Sequence, residues 1–377
     1  MACHRYHPVP GGSERIAQLL AEGAVRHGHR ATVITQAEAG SPSTEELNGV
    51  SIRRLRMRRV AGVRVPHRYG ATLRATEGDL FHLHGNRIWC ADFYLPFAHR
   101  FHWPQLGTGH GFYQYAMHPR VWDRWYFERY FPRVLRGLDV YVCDTEHERR
   151  QLIGWGFPKE RLERIPLGAR PQEFLAPGPS RDEVRAAWGV RAPHLAVHVG
   201  GFFENKRVDR LVDALALTRG AWALLAIGRD LPGTPFDRER CERRATAAGV
   251  EFHAPGALSR AETVAAIRAG DAIVSASEYE GFGVTLAEAL VAGRPFVSWP
   301  SGAAPEMASG GGGRIVRSPE EFAEALTALS DPAVAERMAR SARESATEWT
   351  EERMVDRYLA LYDRLANAAG RRTGSAG

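Results

Sequence analysis

The stretch SEYEGFGVTLAEALVAGRP, residues 277 to 295, lies between two short apolar runs, DAIVSAS (271–277) and RPFVSW (294–299). Runs of that length bounded by turn residues read as buried strands, and the middle reads as a helix that opens near Gly283 and stops at Gly293. Gly281 and Gly283 leave backbone N–H groups uncovered at the helix N-terminus, where an anion such as phosphate is held. At about 1.5 Å of rise per residue, Glu288 lies about 7 Å along the helix from those amides, and its side chain tilts back toward them. A phosphate there leaves an attached ribose within reach of Glu288. Glu280, just outside the helix, is placed to accept hydrogen bonds from a sugar beyond the phosphate. Taken singly, Glu280 reads as a complement to the helix dipole, worth about 0.3–1 kcal/mol, and Glu288 as a solvated helix residue. Together, in this frame, they read as a ligand site.

Further apolar runs alternate with helical patterns along the chain: ATVIT (31–35), DLFHLHG (79–85), DVYVCDT (139–145), LAVHVGG (195–201) and WALLAIG (222–228). Repeated strand–helix units predict an α/β protein with parallel sheets covered on both faces. Ile16, Leu19, Leu20 and Gly23 follow PVPGGS at helical spacing, and Val208, Leu211, Val212 and Leu215 follow HVGGFFENK in the same way. Loops carrying glycine pairs at the carboxyl ends of strands let backbone approach a ligand closely. The Pro- and Gly-rich segment 167–183 separates the two series, so the junction is expected inside it. The predicted organisation is an N-terminal domain over 1–168, a C-terminal domain over 169–348, a final helix over 349–366 and a disordered tail over 367–377. Only MACHRYH precedes PVPGG, which predicts either an unusually short edge strand or a first strand that begins before this sequence.

A chain of 377 residues has room for two cores without disulfides or metal. No apolar run is long enough to span a membrane and no signal-peptide pattern opens the chain, which predicts a cytoplasmic protein. Cys3, Cys90, Cys143 and Cys241 are widely spaced and fit a reducing compartment. The net charge of +6 comes from arginine, with Lys159 and Lys206 the two lysines. Eight arginines and no acid lie between Leu47 and Thr76. That segment reads first as the solvated side of a strand and its loop, and second as a receiver for a phosphorylated acceptor or an anionic bilayer, peripheral contact through 53–74. Nucleic acid is not expected, because no recognised binding module accompanies the charge.

The line 277–295 resembles the Glu-x7-Glu motif of retaining glycosyltransferases of family 4, and the likeness extends from PVPGGSER to the last helix. The resemblance implies a GT-B fold: two Rossmann-like domains facing across a cleft, an acceptor-binding N-terminal half, a nucleotide-sugar-binding C-terminal half and a last helix crossing back. It implies that Glu280 contacts the transferred sugar, that Glu288 holds the ribose, and that the amides of Phe282, Gly283 and Val284 lie near sugar and diphosphate. HVGGFFENKR resembles the family's diphosphate clamp. Lys206 matches its lysine, but Gly201 stands where an arginine is usual, so Arg207 or Arg229 is expected to supply the missing cation. His110 in GTGHGFY matches a histidine at the sugar end of the donor pocket, and Gly11 and Gly12 match the loop after the first strand. Glu306 matches a loop glutamate of less defined role. The catalytic set implied is His110, Lys206 and Glu280.

The family is metal-independent, so no metal ligands are expected, including at His82 and His84. The co-substrate implied is a nucleoside diphosphate sugar, UDP-linked by preference and GDP-linked second, carrying a hexose or N-acetylhexosamine to a hydroxyl acceptor. Natural product, polysaccharide and lipid-linked sugar remain open as acceptors. The aromatic segment 110–131 reads mainly as an amphipathic helix, with sugar stacking as the alternative. A dinucleotide-dependent oxidoreductase is the weaker rival, since no Gly-x-Gly-x-x-Gly opens a helix. A non-catalytic nucleotide-sugar-binding partner is kept alive by Gly201.

Overall fold

The computed structural model describes residues 1–9, 11–60, 63–85, 89, 93, 103–111, 125–131 and 135–374. Most of the aromatic segment 110–131 therefore lies outside the described residues, as does Cys90. The chain divides into two compact units, Met1–Ile165 with Met354–Gly377, and Pro166–Arg353. The division falls just ahead of the segment 167–183 in which sequence patterning puts it. Backbone pairing explains the shift, because Ala169 N–H donates to Trp349 O at 2.8 Å and Glu351 N–H donates to Ala169 O at 2.9 Å. A Cβ at Gly168 would lie 2.0 Å from the Thr350 carbonyl carbon, so glycine is what lets these strands of chain meet.

The first unit is built on an eight-stranded sheet. Its strands are β1 (Ala2–Cys3), β2 (Ala31–Gln36), β3 (Thr44–Leu47), β4 (Val50–Leu55), β7 (Phe81–His84), β8 (Gln105–Thr108), β9 (Val140–Cys143) and β10 (Leu162–Arg164). Their order is β10-β9-β8-β7-β1-β2-β4-β3, parallel except for β3 against β4. The first strand is thus interior rather than an edge: Ala2 pairs with Ile34 on one side and Leu83 on the other. Its two residues are fully buried, because each neighbour covers one flank. A separate antiparallel hairpin joins β5 (Met57–Val60) to β6 (Val63–Pro66).

The helix Gly12–Arg26 buries Ala17, Leu20, Ala21, Gly23 and Ala24. Leu20 and Gly23 are buried as the spacing predicts, whereas Ile16 and Leu19 are half-buried and the small residues Ala17, Ala21 and Ala24 complete the packed face, where they permit close approach. Gly23 serves the same end, as a Cβ there would lie 2.6 Å from Val355 Cγ1 of the final helix. That helix runs Glu351–Gly374. Residues 367–374 are therefore helical, not the disordered tail that the end of the apolar periodicity predicts.

The second unit holds a six-stranded parallel sheet of β11 (His194–Val199), β12 (Trp222–Ile227), β13 (Phe252–Gly256), β14 (Ala272–Ser275), β15 (Phe296–Ser298) and β16 (Gly313–Ile315), ordered β13-β12-β11-β14-β15-β16. Every residue of β12 is buried, which is why its sequence is a continuous apolar run rather than an alternating one. The helix Val208–Ala216 buries Val208, Leu211, Val212 and Leu215, as its spacing predicts. Each such side chain contributes about 1.5–3 kcal/mol over leaving it exposed.

Candidate active site

In the second unit β11 and β14 are parallel neighbours, so the loops that leave their carboxyl ends emerge on the same edge of the sheet. The loop after β11 descends through Gly200 and Gly201 into a 3-10 turn, Glu204–Lys206. The loop after β14 carries Glu278 to Gly283 and enters the helix Val284–Val291. Glu278 N–H donates to Asn205 O at 2.8 Å, and Asn205 Nδ2 donates to Tyr279 O at 3.2 Å, stitching the loops together. The stitch brings Lys206 Nζ to 2.5 Å from Glu280 Oε1, with both side chains about four-fifths buried at 20% and 18% exposure.

Gly283 caps the helix at φ 96°, a left-handed conformation that glycine adopts without strain, and no side chain caps the N-terminus. Phe282, Gly283 and Val284 thus present amides with no acceptor among the described residues. Behind them, Ala303 N–H donates to Phe282 O at 2.8 Å, and Gly302, at φ 55°, passes so close that a Cβ would lie 2.5 Å from that oxygen. Sequence reasoning missed Gly302, whose signal depends on a contact twenty residues away. Gly293, at φ 64°, follows the helix end, as the sequence predicts.

Glu288 is buried at 7% exposure. Burial raises its pKa, and the Arg260 guanidinium, 2.6 Å away at Nη1–Oε1, opposes the rise. Arg260 in turn donates from Nε to Glu173 Oε2 at 2.8 Å. Neither partner was foreseen, because each is far away in sequence and neither sits in a motif. His198 on β11 is fully buried with its pKa lowered to about 4, chiefly by burial, and its Nδ1 meets Val274 O at 3.1 Å.

The two cations expected to stand in for an arginine at position 201 are placed differently. Arg207 is spent on carboxylates: its Nη1 is 2.6 Å from Glu278 Oε1, and its Nε and Nη2 grip Asp209 at 3.0 and 2.9 Å. Those hydrogen bonds, Asp209 foremost, hold its pKa above the usual value. Arg229 is exposed and carries no side-chain partner among the described residues, and its carbonyl accepts from Phe202 N–H at 2.8 Å, beside Gly201. A Cβ at Gly201 would lie 2.4 Å from the Phe203 ring and 2.9 Å from Arg229 O. The aromatic ring fills the space where a side chain at 201 would begin.

In the first unit, His110 sits at φ 59° just after β8. Its Nδ1 is 2.9 Å from Asp144 Oδ2 and its Nε2 is 2.9 Å from His84 Nε2. His84 Nε2 also lies 2.9 Å from Ser13 O, in the first turn of the helix Gly12–Arg26 that Gly11 precedes. A neutral His110 that donates from Nδ1 to the Asp144 carboxylate accepts at Nε2 from His84. That leaves His84 Nδ1 unprotonated, and this buried atom has no partner among the described residues. Both ring nitrogens of His110 are therefore engaged, a state the sequence does not disclose. His82 hydrogen-bonds Tyr362 Oη at 2.7 Å and Thr108 Oγ1 at 2.9 Å. Burial holds the pKa values of His82 and His84 well below the ordinary one. Glu306 lies in the first turn of the helix Ala304–Ala308. Among the described residues no group of three or more His, Cys, Asp or Glu side chains could hold a metal ion, and no helix is long and apolar enough to cross a membrane.

Two family models match consecutive parts of the chain: Glycosyltransferase Family 4 over residues 10–173, and Glycosyl transferases group 1 over residues 193–331. The chain belongs to the group 1 glycosyltransferases. Its fold is GT-B. A sucrose-phosphate synthase from Thermosynechococcus elongatus superposes with a TM-score of 0.75 at 21% identity, over 95% of this chain and 94% of that one. Anabaena HepE in complex with UDP-glucose gives 0.76 at 18% identity, over 97% and 98%. In sequence, this group 1 glycosyltransferase is 30% identical over 247 residues to a GDP-mannose-dependent alpha-(1-6)-phosphatidylinositol dimannoside mannosyltransferase of Mycobacterium tuberculosis, a match covering 62% of this chain and 60% of that protein.

Proposed function

We propose that this chain is a retaining glycosyltransferase that moves a hexose-type sugar from a nucleoside diphosphate to a hydroxyl acceptor without a metal ion. The observation that carries the reading is the pairing of Lys206 with Glu280 beside an uncapped helix N-terminus, with Glu288 buried one turn further on. The amides of Phe282, Gly283 and Val284 and the Lys206 ammonium stabilise charge that grows on the leaving diphosphate. Glu280 accepts from hydroxyls of the transferred sugar, and Glu288 accepts from the ribose. Attack on the face from which the diphosphate departs, with the leaving phosphate taking the acceptor proton, gives retention. His110 serves the sugar end when a hydroxyl takes the place of His84 at Nε2.

A relative described as GDP-mannose-dependent and a fold neighbour holding UDP-glucose support a nucleotide-sugar donor and leave both bases in contention. Arg56, Arg58, Arg59, Arg64, Arg68 and Arg74 are exposed, whereas Arg54 is buried against Glu45 at 2.7 Å. Their exposure fits the solvated side of a strand and its loop, with a phosphorylated acceptor as the alternative reading. Release of nucleoside diphosphate from UDP-glucose, UDP-N-acetylglucosamine and GDP-mannose tests the activity. Release by the wild type and its loss in Lys206→Ala are expected. A donor that binds and is never turned over would favour the non-catalytic partner, the reading to which the Phe203 ring at the clamp position gives most support.

A further inference from the structure

We propose that Arg260 is a positioning residue for Glu288, holding one carboxylate oxygen so that the other alone is offered to the nucleotide's ribose, and that Glu173 fixes Arg260 for that task. The inference rests on the reading of Glu288 as the ribose holder. Arg260 is the first residue of the helix Arg260–Ala269, which Ser259 and Glu262 cap reciprocally, so its backbone is fixed before its side chain is considered. Its guanidinium lies over the Phe174 ring at 5.8 Å and spans Glu173 and Glu288. Arg170 ties the far side of Glu173 at 2.7 Å and continues to Glu351 at 2.9 Å. The charges therefore alternate along one line, Glu288, Arg260, Glu173, Arg170, Glu351.

The line solves a problem that Glu288 creates. A carboxylate at 7% exposure is driven toward its neutral form, and the anions Glu173 and Glu351 push the same way. Arg260 is the cation that opposes them. It occupies Oε1 at 2.6 Å, while Oε2 has no partner among the described residues. One open acceptor oxygen in a fixed direction is what a ribose hydroxyl requires. A lysine in place of arginine would keep the charge and lose the fork that reaches two carboxylates at once.

Isothermal calorimetry with UDP and with GDP, from about pH 8 to about pH 5.5, tests the proposal on the whole chain. The nucleotide's own ionisation cancels in the ratio of variant to wild-type Kd. With Arg260→Ala or Arg260→Gln that ratio is expected to grow as pH falls, because the buried carboxylate that has lost its cation takes up a proton before the wild-type one does. Arg260→Lys is expected to flatten it again. A flat ratio in both neutral variants, or a lysine variant that behaves like alanine, overturns the inference. Glu288→Gln separates the underlying reading: weak, pH-flat binding supports the ribose role, and wild-type affinity removes that role whatever Arg260 does. Should the alanine variant fail to fold, the glutamine and lysine variants carry the same test.

Discussion

Lys206 and Glu280 form a close opposite-charge contact at the candidate site, 2.5 Å at Nζ–Oε1, and each screens the other. A diphosphate arriving at the uncapped amides adds negative charge beside Lys206, so the ammonium is the group whose loss should be felt most in turnover. Lys206→Ala is expected to lower kcat by roughly 10²-fold or more, while its far-ultraviolet circular dichroism stays that of the wild type. Activity within a few-fold of wild type would remove Lys206 from the mechanism. His198 gives a second prediction at this scale. Its folded pKa of about 4 lies below the unfolded value of about 6.5, so below pH 6.5 the unfolded chain binds the proton first and stability falls with acid. The loss amounts to about 3 kcal/mol on reaching pH 4. Urea unfolding of His198→Asn should show an acid slope shallower by that one proton, and an unchanged slope would contradict the assignment.

The element that decides the site is the helix Val284–Val291 together with the turn that supports its N-terminus. Gly302 holds that turn at a positive φ against the Phe282 carbonyl. Gly302→Ala is expected to cost about 1–3 kcal/mol in denaturant unfolding and to weaken nucleotide binding, since the displaced carbonyl belongs to the residue whose amide is proposed to face the ligand. A neutral effect on both would show that the turn does not organise the helix start. The frame from Glu280 to Glu288 is legible in sequence because both glutamates and the glycines between them lie within one strand–turn–helix unit. Phe203 across Gly201, Gly302 behind Phe282 and Arg260 on Glu288 are not legible. Phe203 folds back over Gly201 within one loop, whereas Gly302 and Arg260 meet partners on separate elements, and neither period nor propensity records such contacts.

For the whole molecule, the two strand–helix series were readable because a parallel sheet covered on both faces leaves continuous apolar runs. The interior place of β1 was not, because two residues show no period. The end of the final helix was missed for a related reason, as helical structure continues past the last apolar repeat to Gly374. The two units, each with its own core, also make a prediction. Nucleotide should slow amide hydrogen exchange within 200–206 and 282–288 of the second unit and leave the interior strands of the first unchanged. Protection spread evenly over both sheets would place the donor elsewhere.

The most direct test of the central claim is a thermal-shift screen of the whole chain against UDP, GDP, ADP, dTDP and NAD, repeated with Glu288→Ala. Stabilisation by one nucleoside diphosphate, lost in the variant, is the result the account predicts, at about 2.7 kcal/mol for ligand at about 100 times its Kd. Stabilisation by NAD alone, or by a nucleoside diphosphate equally in both proteins, would contradict it.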